Sequence, residues 1–224
     1  MFILNPLPST LESQLVQKLM RAEPATIGHF RNWGFMDPAL RAMQSDVRIA
    51  GPAVTVRAPG VDSTIVGYAL GQVRPGDVLV IDRCGDHRHA PFGGLVAYAC
   101  KVAGLAGVII DGVATDIGEV RKYGVPLWCR GLSTVTTKRI GLAGEFCGTV
   151  SCAGVDVKPG DIIIADECGI VVLPPGEAEA AADRAIAMQD AEVALRARLD
   201  AGEKLPDISG ATKTLQEALA KQKN

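Results

Sequence analysis

The run VLVIDRCGDHRHAPFGGLVAYACKVAGLAGVIIDGVATDIGEVRKYGVPLWC, residues 78–129, decides the fold. Residues 78–82 (VLVID) are a short apolar run closed by an acid, the pattern of a strand buried on both faces. Residues 93–104 (GGLVAYACKVAG) follow as a helix ending at Gly104, since glycine takes the left-handed conformation that closes helices. Residues 107–111 (GVIID) repeat the strand pattern. Residues 117–123 form a second, shorter helix, halted by Gly124 and Pro126, and residues 126–129 (PLWC) are a third strand. Alternation of strand and helix at this spacing implies parallel strands joined by right-handed crossovers.

Outward from this centre, residues 9–21 read as a helix capped by Ser9 or Thr10, and residues 63–71 as a short helix. Residues 47–57 (VRIAGPAVTVR) alternate as strands broken at Gly51-Pro52. Downstream, residues 148–155, 162–166 and 169–173 are strands joined by short turns, which favours antiparallel pairing. Residues 177–201 form a long helix rich in Ala and charge, and the tail after Pro206 is a loosely packed arm. Two segments, Val73-Arg74-Pro75-Gly76-Asp77 and Val157-Lys158-Pro159-Gly160-Asp161, share a Pro-Gly turn before an apolar strand. Their surroundings do not match, which points to a reused turn and not a duplication. The expectation is an α/β domain spanning residues 1–224, with mixed sheet layers around a parallel centre.

Composition sets the limits. The chain of 224 residues is 48% hydrophobic and 21% charged, enough apolar material for a proper core. Lys+Arg is 23 against Asp+Glu 25, so there is no net electrostatic footprint for nucleic acid. The longest apolar run, Val102 to Ile110, is too short to span a bilayer. The first ten residues lack a basic leader and meet prolines at once, against a secretory signal. The six cysteines form no C-x-x-C pair and lie mostly in apolar runs, so they read as buried, reduced thiols in a cytoplasmic protein. His29 lies in an aromatic-rich stretch, where a packed histidine is the ordinary outcome.

In parallel α/β units ligands bind beyond the carboxyl ends of the strands. Two loops qualify. The first, Arg83 to Gly94, holds Arg83, Arg88, His87, His89 and Asp86, then feeds Gly93-Gly94 into a helix whose free N–H groups accept an anion. A solvated surface loop is the bland alternative. The second, residues 112–116, ends in Asp116-Ile117-Gly118-Glu119, a capping-box pattern. Asp116 can cap its helix with one carboxylate oxygen and face a metal or its waters with the other. In the last helix Ala181, Ala185, Met188, Leu195 and Leu199 share one face with Glu192. That glutamate either snorkels past a thin seam or is presented to a site, conceivably on another subunit.

Taken together, Phe92-Gly93-Gly94-Leu95-Val96-Ala97, Gly107 to Gly112, Thr115-Asp116, Gly124 to Trp128, the segment Val157 to Pro174 and residues 196–203 (RARLDAGE) resemble the RraA-like family. That family includes the class II 4-hydroxy-4-methyl-2-oxoglutarate/4-carboxy-4-hydroxy-2-oxoadipate aldolases. The resemblance implies a swivelling β/β/α sandwich assembled as a homotrimer or homohexamer, with the site between subunits. It implies a divalent metal, Mg²⁺ or Mn²⁺, held by Asp116 and waters, with pyruvate's carboxylate on the amides of Gly94, Leu95 and Val96. It also implies a glutamate from a neighbour's last helix, matched by Glu192. Two positions depart from the aldolase pattern. Thr115 stands where the aldolases carry an Arg before the metal Asp, and Gly94 stands where they carry an Asp. Threonine cannot replace a fixed cation that pairs with a carboxylate.

The expected replacement is the 83–89 cluster, with Arg83 or Arg88 on the substrate carboxylate and His87 or His89 as acid/base. The functional expectation is a metal-dependent lyase on 2-oxo or 4-hydroxy-2-oxo di- or tricarboxylic acids, giving pyruvate by retro-aldol cleavage or decarboxylation. The substrate is then a small carboxylic acid, with no nucleic-acid or membrane partner. Two rivals stand beside it: a non-catalytic RraA-like regulator that binds a ribonuclease, and an enzyme of changed chemistry on another carboxylated molecule.

Overall fold

The computed structural model describes residues 1–222. The strands are β1 (Phe2–Leu4), β2 (Arg41–Ala42), β3 (Arg48–Arg57), β4 (Val78–Asp82), β5 (Gly107–Ala114), β6 (Leu127–Leu132), β7 (Gly144–Phe146), β8 (Val150–Cys152), β9 (Val155–Val157), β10 (Ile162–Asp166) and β11 (Gly169–Leu173). The helices are α1 (Ser13–Leu19), α2 (Pro24–Gly28), α3 (Thr64–Leu70), α4 (Gly94–Ala103), α5 (Ile117–Tyr123), α6 (Pro175–Asp200), α7 (Leu205–Ile208) and α8 (Ala211–Lys221).

The sheet is mixed, as expected for this α/β class. Its centre is β3-β4-β5-β6, parallel throughout, with β7 and β2 added antiparallel on its two flanks and β1 outside β7. All five residues of β4 are buried, which explains its unbroken apolar run. One core lies between this sheet and α3, α4 and α5, with Leu79, Ile81, Phe92, Ile110 and Leu127 at its heart. A second lies on the opposite face, where Val80, Ile109 and Trp128 meet Val150, Ile163 and Val172. A third packs Ile162, Ile164, Val171 and Leu173 against α1, α2 and Ala178, Ala182 and Ala185 of α6. Each fully buried Val, Leu or Ile contributes about 1.5–3 kcal/mol.

Several sequence expectations are corrected. Residues 48–57 are one continuous strand, not two. At Gly51-Pro52 β3 changes partners: residues 48–52 pair with β10, and residues 53–57 with β4. Gly51 is required there, because a Cβ would run into the Gly76 carbonyl. The first helix begins at Ser13 with Glu12 as N-cap and no side-chain cap bond, so neither Ser9 nor Thr10 caps it. The region 148–155 is split into the β8-β9 hairpin, and β1, β7 and α2 were not anticipated. The tail is helical in α7 and α8, which bury no residue. Cys84 and Cys168 are exposed, while Cys100, Cys129, Cys147 and Cys152 are buried and free. His29 is exposed at the end of α2 rather than packed.

The repeated turn is confirmed at the atomic level. Asp77 Oδ2 accepts the Arg74 amide at 2.8 Å, and Asp161 Oδ2 accepts the Lys158 amide at 2.8 Å. Gly76 and Gly160 have φ of 86° and 87°, the region that glycine alone enters freely.

Candidate functional site

The carboxyl ends of β4 and β5 open into a cleft of about 810 Å³. It is lined by the start of α4, residues Gly93 to Val96, by Thr115 and Asp116, and by Thr136 to Arg139. The first three N–H groups of a helix have no intrahelical acceptor. The Gly94 amide donates to Asp116 Oδ2 at 3.0 Å, which leaves Leu95 and Val96 as the open donors at this end.

Asp116 does not make the capping box its sequence promised. Its φ of 51° and ψ of 39° are left-handed, whereas a capping residue is extended. That turn carries the carboxylate away from α5 and across to the start of α4. Thr115 Oγ1 donates to Asp116 Oδ1 at 3.3 Å, and the Thr115 amide is fixed on the Phe92 carbonyl at 2.9 Å. Gly93 and Gly94 leave room for this closeness. A Cβ at Gly93 would lie 2.5 Å from Asp116 Oδ2, and one at Gly94 would overlap the Glu119 carboxylate. Glu119 thus occupies the space where a side chain at position 94 would begin.

Two carboxylates, Asp116 and Glu119, therefore flank the helix start. Among the described residues no group of three or more His, Cys, Asp or Glu side chains gathers for a metal. One or two carboxylates on an open rim suit a hard cation such as Mg²⁺, which keeps several waters; zinc prefers a closed nitrogen and sulfur set.

The structure places the 83–89 cluster differently from the sequence expectation. Arg83 is fully buried. Its guanidinium donates to the carbonyls of Ala58 and Gly60, with Asp86 Oδ2 3.6 Å away. Burial draws its pKa below the usual arginine value, with the charges of Asp86 and Asp82 opposing. Arg83 is a brace inside the fold, fully buried, with its Nε a buried donor that has no hydrogen-bond partner among the described residues. Gly112 makes room for it, since a Cβ there would lie 2.6 Å from Arg83 Cγ. Asp86 is spent within its own turn: Oδ1 accepts the amides of Arg88 (2.8 Å) and His89 (3.0 Å), and Oδ2 faces His89 Nδ1 at 2.8 Å. Burial pushes the Asp86 carboxyl up, but those amides and the His89 ring outweigh it and hold it at about 2. Arg88 and His87 are exposed, and neither they nor His89 line the cleft.

Glu192 is half-exposed on α6 and pairs with Arg196 at 3.1 Å. The apolar seam read around it is not formed within the chain. The buried face of α6 is Ala178, Ala182 and Ala185, and Gln189 makes the last tie, accepting the Glu23 amide at 3.0 Å. Beyond it Val193, Leu195 and Leu199 are exposed.

The basic residues that line the cleft are Lys138 and Arg139, which the sequence did not single out. They sit in a polar run between Gly131 and Gly141, and the adjacent basic pair was the available signal.

The fold and site define an α/β protein with open amides at a helix start and a carboxylate beside them. The chain belongs to the RraA-like family (Aldolase/RraA), whose model matches residues 26–172. A provisionally named 4-hydroxy-4-methyl-2-oxoglutarate aldolase of Halalkalibacterium halodurans is 35% identical over 140 residues. The match covers 62% of this chain and 66%, just under two thirds, of that protein's length. Among solved structures, Streptomyces coelicolor RraAS2, described as an unusual member of the RNase ES inhibitor RraA protein family, superposes with a TM-score of 0.76 at 29% identity. That match covers 84% of this chain and 98% of the other. The RNA-processing inhibitor RraA from Thermus thermophilis superposes at 0.58 with 29% identity, over 62% and 84% of the two chains.

Proposed function

We propose that the protein is a divalent-metal-dependent lyase that releases pyruvate from 2-oxo or 4-hydroxy-2-oxo di- or tricarboxylic acids, by retro-aldol cleavage or decarboxylation. The observation that carries this reading is the facing pair at the cleft: open amides of Leu95 and Val96 beside the Asp116 carboxylate. The amides hold the carboxylate of the 2-oxo acid, and the α4 dipole favours its charge. Asp116 holds Mg²⁺ or Mn²⁺, with Glu119 positioned for its water shell. A divalent ion there supplies Lewis-acid stabilisation of a developing oxyanion. Thr115 restrains Asp116 through its hydroxyl. In the retro-aldol direction the 4-hydroxyl loses a proton as the C3–C4 bond breaks, and C3 then gains one.

Glu192 from a second copy of the chain is the group assigned to proton transfer. The exposed Val193, Leu195 and Leu199 around it suit a homotrimer or homohexamer, in which outlying parts of α6 dock on neighbours. His87 and His89 are second in line for that role, because neither lines the cleft of its own chain. A cytoplasmic setting fits the free thiols. No helix among the described residues is long and apolar enough to cross a membrane.

A second reading has its own support. The likeness to the RraA inhibitors from Streptomyces and Thermus, together with Thr115 at the family Arg position, favours a regulator that binds a ribonuclease without catalysis. The two readings separate in one assay, pyruvate release from oxaloacetate and 4-hydroxy-2-oxo diacids. The lyase requires activity with Mg²⁺ or Mn²⁺, loss on chelation, and a fall of at least roughly 100-fold in Asp116→Ala. Absence of turnover with every such acid rejects it.

A further inference from the structure

We infer that Lys138 and Arg139 form the anion-holding part of the cleft and bind the second carboxylate of the substrate. This rests on the keto-acid reading above and assigns residues to the second carboxylate of those di- and tricarboxylic acids.

The loop that carries the two cations is fixed. The Lys138 amide donates to the Val61 carbonyl at 2.8 Å, and the Lys138 carbonyl accepts the Ser63 amide at 2.9 Å. On the other side the Thr137 amide donates to the Ala90 carbonyl at 3.1 Å. Just beyond, Asp62 gathers the loop: Oδ1 accepts the Ile140 amide at 3.2 Å and Oδ2 the Leu142 amide at 2.6 Å. Asp62 is 1% exposed. Burial opposes its charge, yet the Thr64 hydroxyl and the amides of Leu142, Thr64 and Ile140 hold it well below the usual carboxylate range. A buried, charged carboxylate thus pins the backbone next to the basic pair, and both residues line the cleft.

Neither Lys138 nor Arg139 takes part in an ion pair among the described residues. The rest of the lining includes Leu95, Val96, Asp116 and the hydroxyl-bearing Ser63, Thr115, Thr136 and Thr137. The two ends therefore sort a two-headed acid: the 2-oxo carboxylate goes to the Leu95 and Val96 amides, and the other goes to the guanidinium and ammonium. An arginine fork matches a carboxylate in two parallel hydrogen bonds, and a lysine adds a point charge. A cleft of about 810 Å³ is far larger than a three-carbon acid fills, and leaves room for the longer molecule.

Isothermal titration in Mg²⁺ with pyruvate and with 2-oxoglutarate, a diacid with no 4-hydroxyl to cleave, tests the assignment. Wild type should prefer the diacid. Lys138→Gln combined with Arg139→Gln should weaken 2-oxoglutarate at least roughly ten-fold and leave pyruvate within about two-fold. Arg139→Lys should keep part of the preference. Unchanged diacid binding, or an equal loss for both acids, overturns the assignment while leaving the keto-acid reading in place. Failure of wild type to bind either acid rejects that reading and the assignment with it.

Discussion

Two loops leave the parallel centre side by side, and they use their polar residues in opposite ways. The loop after β4 is crowded with charge, yet Arg83 and Asp86 spend theirs on carbonyls, amides and a neighbouring ring. The loop after β5 is short and holds one acid, yet that acid projects into the cleft beside open amides. Polar density marks a region that must satisfy its own donors and acceptors. A ligand site needs the reverse, groups left unspent at a concave surface.

Removing the buried brace gives the largest effect and sharpens the contrast. Arg83→Ala strips the Ala58 and Gly60 carbonyls of their donors and should cost about 3 kcal/mol, a fall of roughly 10 °C in Tm by thermal denaturation. Pyruvate release, assayed below the new Tm, should keep an unchanged KM. A rise in KM with stability intact would move Arg83 back to the ligand.

Next in size is the acid response. Asp86 is held at about 2 in the folded protein, and Asp62 also lies below its ordinary value. In both the folded pKa is depressed, so their stabilisation is complete above the unfolded pKa of about 4 and is lost as pH falls from there towards 2. Denaturant midpoints measured between those values should decline, and Asp62→Asn should flatten the decline. A variant that declines as steeply as wild type separates Asp62 from the loop it is said to pin.

The smallest effect belongs to Arg88. With Arg83 it is one of the two sequence candidates for the substrate carboxylate, but it is exposed and off the cleft. Arg88→Ala should change KM for a diacid by less than about two-fold. A ten-fold rise would return the site to the first loop, or mean that a neighbouring copy brings Arg88 in.

The parallel centre was legible because buried strands and helix stops write themselves into adjacent residues, as in VLVID and the glycines at 104 and 124. The continuity of β3 was hidden, because Gly51-Pro52 reads as a break until its two partners are known. Asp116 was legible as a residue, though not in its geometry; the left-handed backbone that frees it from the capping box has no local signature beyond aspartate's tolerance of that region. Lys138 and Arg139 were invisible as cleft residues. Their place on the cleft depends on ties to Val61, Ser63, Ala90 and Asp62, all far away in sequence. Glu192 lies off the cleft of its own chain and pairs with Arg196, so its proposed role rests on the proposed oligomer.

The central claim is that Asp116 holds a hard cation beside the start of α4, and Mn²⁺ titration followed by electron paramagnetic resonance tests it most directly. Wild type should bind one Mn²⁺ per chain, and Asp116→Asn should weaken it by at least roughly ten-fold with its Tm nearly unchanged. Equal Mn²⁺ binding in the two proteins, or none in wild type at millimolar metal, would contradict it.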